Sequence, residues 1–227
     1  MLYTAQQVRD NIRNKDGKRV FYLGKGDSLT SEARDYLSRQ RIEILPAEKA
    51  RPEEYALLGG GFCREKPEDM THLNAHILVK KNHPRIVFRG AIDALEAELL
   101  LAQAQTGIQK PLQEALDAAR ALIAADVLEK KVEETTLGGM NREELRKRSH
   151  FPQEYYGQPH FMPQYEDGIS VLWLNRCRCA VRQAELAAVS AFSDRDGNCL
   201  RPDMIQALNR LSSYLYLLMI EEKAKSR

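Results

Sequence analysis

The sequence predicts a mainly α-helical protein, in which a helical bundle follows a small N-terminal α+β extension. Apolar residues repeat at helical spacing through most of the chain after about residue 70. Aromatic residues make up only 7% of the 227 residues, which favours helices over a strand-rich fold. We divide the chain into the extension with its linker, residues 1–60, and a bundle domain, residues 61–227.

Strand and helix patterns alternate in the extension. Residues 19–23 and 41–45 each predict a short strand. Thr30 lies between them as a candidate N-cap of a helix. This β-α-β piece is too short to hold a core by itself. Gly24 and Gly26 predict an ordinary turn, because the full spacing of a phosphate-binding loop is missing.

The bundle domain follows a segment rich in Pro, Glu and Gly. That segment, residues 46–69, predicts a linker or a mobile loop. The region from 70 onwards predicts helices, except for residues 151–168, whose three prolines indicate a structured loop rather than an element. Apolar stripes predict helices within 92–102, 112–127, 142–148, 169–192 and 202–225, the last with Pro202 at its first position.

Composition excludes several classes of protein. Lys and Arg number 34 against 32 Asp and Glu, so the chain lacks the net basic charge typical of nucleic-acid binding. Its most apolar stretches fall far short of the roughly 18 residues that cross a membrane. The first seven residues lack the pattern of a signal peptide. Four cysteines are too few for a disulfide framework, so we expect a soluble cytoplasmic protein with free thiols.

Two neighbouring helices carry polar stripes beside their apolar faces. Arg178, Arg182 and Glu185 share one stripe of the helix at 169–192. This stripe is either a solvated salt-bridge ladder or a phosphate clamp, because guanidinium groups match phosphate oxygens in pairs. The last helix carries Asn209 and Ser212 in a comparable position. A polar pocket between two helices is a candidate ligand site.

Several sequence blocks, in order, resemble the ATP:corrinoid adenosyltransferases. Arg178-x-x-x-Arg182-Gln183-Ala184-Glu185 is similar to the C-terminal signature of that family, and residues 200–213 resemble its ethanolamine-utilization branch. Met70–Leu73, Lys80–Arg85 and Phe88–Leu95 also fit. The resemblance covers most of the chain from about Met70, and the first β-α-β piece is similar to the N-terminal extension of that branch.

The resemblance implies transfer of the 5′-deoxyadenosyl group of ATP to cobalt(I) of cobalamin, with release of triphosphate, for ethanolamine utilization. It implies five-helix bundles assembled as a homotrimer or a larger homo-oligomer. ATP, Mg²⁺ and cobalamin are the implied ligands. Ethanolamine ammonia-lyase or its reactivase is a candidate partner, and a bacterial microcompartment is a candidate location within the cytoplasm.

The resemblance also implies roles for individual residues. Arg178, Arg182 and Glu185 would be catalytic, with Arg182 on the phosphates and Glu185 orienting the arginine or the metal and ribose. Asp93 would pair with Arg178 of a neighbouring subunit beside the corrin. The helix N-terminus near Gly90 would direct its dipole toward phosphate. The implied ATP-binding residues are Thr71, Lys80, Lys81, Arg85, Arg89, Asn209 and Arg210, with those from Lys80 to Arg89 lining a loop before the first bundle helix.

Two further expectations concern cobalt and metal ligands. Phe151 and Phe161 are candidates for the apolar wedge that displaces the lower axial ligand of cobalt, although aromatics in a loop are often packing anchors. Many members of the ethanolamine branch carry a His followed by Cys-Cys-x-x-Cys, whereas this chain has only Cys63 there. A tetrahedral thiolate site is therefore not expected. Cys63 and His72, the latter with His76, remain as candidate ligands.

Two other functional classes stay open beside the enzyme. The chain could be a non-catalytic carrier that delivers adenosylcobalamin to a lyase, or a structural helical oligomer. Arg182, Glu185 and Asn209 favour the enzyme, because a carrier does not need a triphosphate clamp. A di-iron carboxylate bundle is disfavoured, because no Glu-x-x-His pair lies on the predicted helices.

Overall fold

A computed structural model describes residues 2–15, 17–24, 26–46, 55–74, 77–194 and 196–225. The predicted class is confirmed, since long α-helices dominate and the strands are short and lie before the first long helix. The chain divides into two compact units. One comprises residues up to 56 together with 60–66, and the other comprises 57–59 and the chain from 67 onwards.

The first unit contains the predicted β-α-β piece. Strands β3 (Lys18–Leu23) and β5 (Glu43–Pro46) pair in parallel, with helix α2 (Ser31–Arg39) between them in the chain. The Thr30 hydroxyl accepts a hydrogen bond from the Ala33 N–H at 3.2 Å, which confirms Thr30 as the N-cap. Its remaining elements are β1 (Leu2–Tyr3), α1 (Ala5–Asp10), β2 (Arg13–Lys15) and β4 (Ser28–Leu29).

The expectation that this unit cannot hold a core is wrong. Helix α1 packs against α2 and adds an apolar face that the sequence did not reveal. Val8, Phe21 and Leu37 are at most 1% exposed and belong to one apolar cluster. The glycine turn is ordinary, as predicted, with the Asp27 N–H donating to the Gly24 carbonyl at 3.0 Å.

Short strands lie on both sides of residue 70, where the sequence predicts a linker before it and helices after it. The predicted linker contains β6 (Tyr55–Leu57) and β7 (Phe62–Cys63), which pair antiparallel, whereas residues 47–54 lie outside the described residues. The second unit contains β8 (Met70–His72) and β9 (Ile77–Lys80), also antiparallel, where a helical region was expected. These strands are too short to give a readable alternation of apolar residues.

The predicted long helices are confirmed. Helix α7 packs against both α3 and α8, α4 packs against α3, and α5 lies on α8. Fully buried apolar side chains such as Phe88, Leu95, Val181 and Leu208 form the core. The helices are α3 (Pro84–Thr106), α4 (Gln109–Val127), α5 (Arg142–His150), α6 (Pro152–Tyr156), α7 (Ile169–Ala191) and α8 (Pro202–Lys225).

Three local predictions need correction. Residues 151–168 contain the short helix α6, because Pro152 occupies the first helical position, where its missing N–H has no cost. Helix α3 begins at Pro84, capped by His83, so Gly90 is not at a helix N-terminus and adds no dipole there. Arg85 and Arg89 therefore lie on the first turns of α3 rather than in a loop before it.

The connection from α4 to α5 is fixed to the bundle at one glycine. The Gly138 N–H donates to Glu114 Oε2 at 2.7 Å, and the Tyr214 hydroxyl donates to the same oxygen at 3.3 Å. Gly138 has a φ of +59°, and a Cβ at this position would lie 2.9 Å from Cε2 of Tyr214. Both the backbone conformation and the close approach therefore require glycine.

Within the described ranges, no helix combines the length and the apolar character needed to cross a bilayer.

Candidate functional site

Helices α7 and α8 meet at a polar contact between two of the predicted site residues. Asn209 Nδ2 donates to Glu185 Oε1 at 2.7 Å and also to the Ile205 carbonyl of its own helix at 3.2 Å. Both side chains are half-buried between apolar neighbours. Partial burial strengthens this hydrogen bond to a carboxylate, so the pair is a defined polar point between the helices.

The two arginines of the α7 stripe, Arg178 and Arg182, have few hydrogen-bond partners among the described residues. Arg182 is exposed, and it has no hydrogen-bond or ion-pair partner among the residues that the structure describes. Arg178 is half-buried and donates from Nε and Nη2 to Asn175 Oδ1 at 3.3 and 3.2 Å. A guanidinium group has five N–H donors, so both side chains keep donors for an anionic ligand.

Asp93 lies exposed on α3. Across the described part of the chain, no ion pair joins Asp93 to Arg178. The pairing that the resemblance implies runs between neighbouring subunits, so it stays a prediction.

Arg85 and Arg89 share one buried carboxylate. Arg85 Nε lies 2.8 Å from Asp126 Oδ1, and Arg89 Nε lies 2.6 Å from Asp126 Oδ2. Asp126 is completely buried at the end of α4, while the arginine side chains are 19% and 16% exposed. Arg89 Nη2 also donates to the Leu73 carbonyl at 2.8 Å. In this chain the two arginines join the ends of α3 and α4.

Thr71, Lys80 and Lys81 lie on or next to the β8–β9 hairpin. Thr71 is half-buried in β8, opposite Val79. Lys80, at the end of β9, forms an ion pair with Asp69, and this lysine lowers the pKa of the Asp69 carboxyl. Both lysines are exposed and lie just before α3.

Arg210 lines a cavity of about 830 Å³. Its walls come from the end of α4, the segment that follows it, and the starts of α5 and α8. Burial lowers the pKa of the Arg210 guanidinium, and the positive charges of Arg146 and Arg142 lower it further.

The two phenylalanines proposed as a wedge differ in their surroundings. Phe151 is 55% exposed at the start of α6. Phe161 is half-buried, with its ring stacked on Tyr216 at 6.0 Å between centroids and Lys223 Nζ 4.1 Å from its centroid. Its backbone N–H also donates to the Tyr216 hydroxyl at 3.3 Å. Tyr216 lies 55 positions after Phe161 in the sequence, so the sequence alone does not link Tyr216 to this loop.

The candidate metal ligands give no assembled site. Cys63 is half-buried in β7, His72 is exposed on β8, and His76 lies outside the described residues. The described residues contain no group of three His, Cys, Asp or Glu side chains able to hold a metal ion. Burial raises the pKa of the Cys177 thiol to about 12, so this cysteine is not a thiolate ligand at neutral pH.

The Glu185–Asn209 pair lies between α7 and α8, and the two arginines with available donors lie on α7. A helical bundle with these groups together is suited to binding a phosphorylated ligand. The family model for cobalamin adenosyltransferase matches residues 62–222, and the chain belongs to this family.

Relatives match over nearly their whole length. The chain is 36% identical over 249 aligned positions to corrinoid adenosyltransferase EutT of Salmonella typhimurium, covering 98% of this chain and 92% of that protein. It is 36% identical over 244 positions to corrinoid adenosyltransferase EutT of Escherichia coli K12, covering 96% and 90%.

Proposed function

We propose that this chain transfers the 5′-deoxyadenosyl group of ATP to cobalt(I) of cobalamin, forms adenosylcobalamin and releases triphosphate, in ethanolamine utilization. Membership of the cobalamin adenosyltransferase family and the similarity to corrinoid adenosyltransferases support this reaction. The structural observation that carries it is the 2.7 Å hydrogen bond from Asn209 to Glu185, next to two arginines with available donors.

The chemistry is a displacement at the ribose C5′. Cobalt(I) supplies an electron pair, the Co–C5′ bond forms, and the C5′–O bond breaks. The pair from that bond leaves with triphosphate, and cobalt becomes formally cobalt(III). A separate one-electron donor must reduce cobalt(II) to cobalt(I) before each turnover. Because negative charge builds on the leaving triphosphate, preorganised cations at that end accelerate the step.

Arg178, Arg182 and Glu185 are the proposed catalytic residues. Arg182 extends from α7 with its donors available and would contact the leaving phosphates. Glu185 would hold the nucleotide end of the site together with Asn209. The hydrogen bond to Glu185 uses the amide nitrogen of Asn209, so the amide oxygen can still accept a hydrogen bond.

Mg²⁺ fits this pair. It binds proteins through one or two oxygen ligands and completes its shell with phosphates and water, so Glu185 and Asn209 would hold it. When bound, Mg²⁺ would neutralise part of the triphosphate charge.

Lys80, Lys81 and Thr71 are proposed to bind the phosphates from the β8–β9 side. Arg85 and Arg89 belong to the same proposed set, although both already have partners. Arg85 uses Nε and Nη2 on Asp126 and places Nη1 3.5 Å from Glu129, and Arg89 uses Nε on Asp126 and Nη2 on the Leu73 carbonyl. They would act with the N–H groups that these contacts leave over. Asn209 and Arg210 of α8 complete the set of seven proposed nucleotide ligands.

The proposal extends to assembly. A homotrimer or larger homo-oligomer would let Asp93 of one subunit meet Arg178 of the next, beside the corrin. Phe151, the more exposed of the two phenylalanines, and Phe161 are the proposed wedge below cobalt. Ethanolamine ammonia-lyase or its reactivase would receive the product, in the cytoplasm or within a microcompartment.

One assay tests the reaction. The protein is mixed anaerobically with cob(II)alamin, ATP, Mg²⁺ and a reductant, and the visible spectrum is followed together with triphosphate release. Equal amounts of adenosylcobalamin and triphosphate are expected. A carrier would bind adenosylcobalamin without producing either, and that result at saturating substrate contradicts the proposal.

A further inference from the structure

The cavity beside Arg210 is lined by several basic side chains. Arg142 of α5, Arg201 and Arg210 of α8, and Lys130 and Lys131 of the preceding segment all contribute to its wall. Ala118, Leu122 and Leu211 are among the residues that form an apolar floor. A recess of about 830 Å³ lies within the range of small-molecule sites.

Arg210 carries an unsatisfied donor in this wall. Its Nε is buried and has no hydrogen-bond partner among the described residues. Leaving a buried charged donor unpaired is costly, and native structures seldom tolerate it without a ligand or an ordered water. The unpaired donor leaves the positive charge of Arg210 incompletely compensated in this wall, which favours an anion beside the guanidinium group.

The charges around Arg210 are mostly of the same sign. Arg142 and Arg146 of α5 act on its guanidinium, and Glu185 is the acidic group that opposes them. Glu185 already accepts a hydrogen bond from Asn209 through Oε1. Like charges in a partly buried recess repel, and an anion between them removes the repulsion.

The acidic residues near this cavity have other partners or lie at its rim. Asp203 pairs with Arg201 at 2.8 Å, and Glu129 reaches Arg85 at 3.5 Å. Glu134 lies 3.6 Å from Arg142 and is 66% exposed, so solvent weakens its effect. Glu133 lines the cavity from the same exposed segment.

We propose that α5 and α8 form an anion site in which Arg142 and Arg210, which line the cavity, bind a phosphate group. Arg146, one turn further along α5, adds positive charge beside them. Arginine suits this ligand because its planar fork matches two phosphate oxygens. The phosphate comes either from the triphosphate end of a nucleotide or from a free polyphosphate such as the released triphosphate. The inference adds α5 to the binding surface. It rests on the proposed function in that Arg210 is already a proposed nucleotide ligand, but its test measures phosphate binding and not adenosyl transfer.

Binding of inorganic triphosphate to the full chain, measured by titration calorimetry, tests the site. The double variant Arg142→Gln/Arg146→Gln removes two cations from α5, where Arg142 is half-buried and Arg146 is exposed, and keeps hydrogen-bonding side chains. We expect at least roughly tenfold weaker binding in this variant, the typical effect of losing a charge-assisted hydrogen bond. Arg120→Gln is the matched control, since Arg120 is an exposed arginine of α4 that pairs with Glu96 outside the cavity.

Two results would overturn the inference. One is that the wild-type chain binds neither triphosphate nor orthophosphate. The other is that the double variant binds as tightly as the wild type, while Arg182→Ala loses binding, which would place the anion at α7 instead. Arg210→Lys gives a second check, because it keeps the charge but removes Nε and should also weaken binding.

A competition experiment identifies the source of the phosphate. If saturating ATP prevents triphosphate binding, the nucleotide's own phosphates occupy the α5–α8 site. If triphosphate still binds in the presence of ATP, the site takes a free polyphosphate. These binding results do not depend on turnover, so failure of the adenosyl-transfer assay would leave them interpretable.

Discussion

Asn209 and Glu185 join the last two helices of the bundle through a single hydrogen bond of 2.7 Å. The bond fixes the Asn209 amide, because its nitrogen points to the carboxylate and its oxygen is left for another group. It also fixes the Glu185 carboxylate one helical turn from Arg182. The geometry therefore prepares an acceptor, a carboxylate and a guanidinium on one polar surface before any ligand binds.

Arg182→Ala should abolish adenosyl transfer while leaving the fold intact. Arg182 is exposed and holds no partner in the described residues, so its loss removes no internal contact. Removing one preorganised charge from a developing anion typically costs about a hundredfold or more in rate. The initial rate of adenosylcobalamin formation and the melting temperature are the measurements. Gln183→Ala, the adjacent exposed position, is the control, and a wild-type rate in Arg182→Ala would show that the clamp is misassigned.

Asn209→Asp should destabilise the bundle in a pH-dependent way. The substitution places a second carboxylate against Glu185, and two carboxylates in contact cannot both stay ionised without cost. One of them takes up a proton as the pH falls, so the loss of stability should be larger at pH 8 than at pH 5. Melting temperatures at both values measure this. Asn209→Ala, which adds no charge, should show a deficit that hardly changes with pH, and equal pH profiles for the two variants would contradict the prediction.

Asp126→Asn should cost more stability than any surface substitution. Asp126 is fully buried and pairs with both Arg85 and Arg89, so the variant removes their shared counter-charge. Arg85 then keeps only the exposed Glu129, at 3.5 Å, and Arg89 keeps no carboxylate partner among the described residues. Breaking a buried ion pair from one side costs about 3–5 kcal/mol. Urea unfolding gives the free energy of unfolding. Asp117→Asn, an exposed aspartate on the same helix, should change it by less than about 0.5 kcal/mol.

Asp203 should stabilise the chain at neutral pH and lose this effect in acid. The Arg201 guanidinium is the main cause that lowers the pKa of Asp203 to about 2. Because the folded-state pKa lies below the unfolded value of about 3.9, the contribution is complete above about pH 5 and disappears as the pH falls through 2. The difference in unfolding free energy between wild type and Asp203→Asn should be on the order of 1–2 kcal/mol at pH 7, since solvent screens part of the interaction. It should shrink steadily between pH 5 and pH 2, and a difference independent of pH would contradict this account.

Helical periodicity could predict the long helices because their buried faces follow it closely. Leu174, Cys177, Val181, Ala184 and Ala188 repeat at three and four residues, and all are fully buried on α7. The same logic failed for β8 and β9, because a strand of three or four residues is too short to show its period. Helix α6 is not predicted because Pro152 has the pattern of a helix breaker, although proline is favoured at the first helical position.

Long-range polar partners could not be predicted. Asp126 is a single acidic residue near the end of a helix, and nothing in the sequence links it to arginines 41 and 37 positions earlier. The contact between Glu185 and Asn209 could be predicted, because both lie on polar stripes beside the apolar faces of consecutive helices. The effect of Arg142 and Arg146 on Arg210 could not be predicted, since it depends on how α5 packs on α8.

The close approach of Gly138 to Tyr214 couples two positions that are distant in the sequence. Any side chain at 138 would have to displace the Tyr214 ring, and Tyr214 also holds Glu114. A larger residue at 138 therefore needs a smaller one at 214, so the two substitutions should be non-additive in a double-mutant cycle. Leu137, next to Gly138, lines the cavity of about 830 Å³, so variation of this wall is tied to repacking of the core. This segment therefore cannot be redesigned for a new ligand one residue at a time.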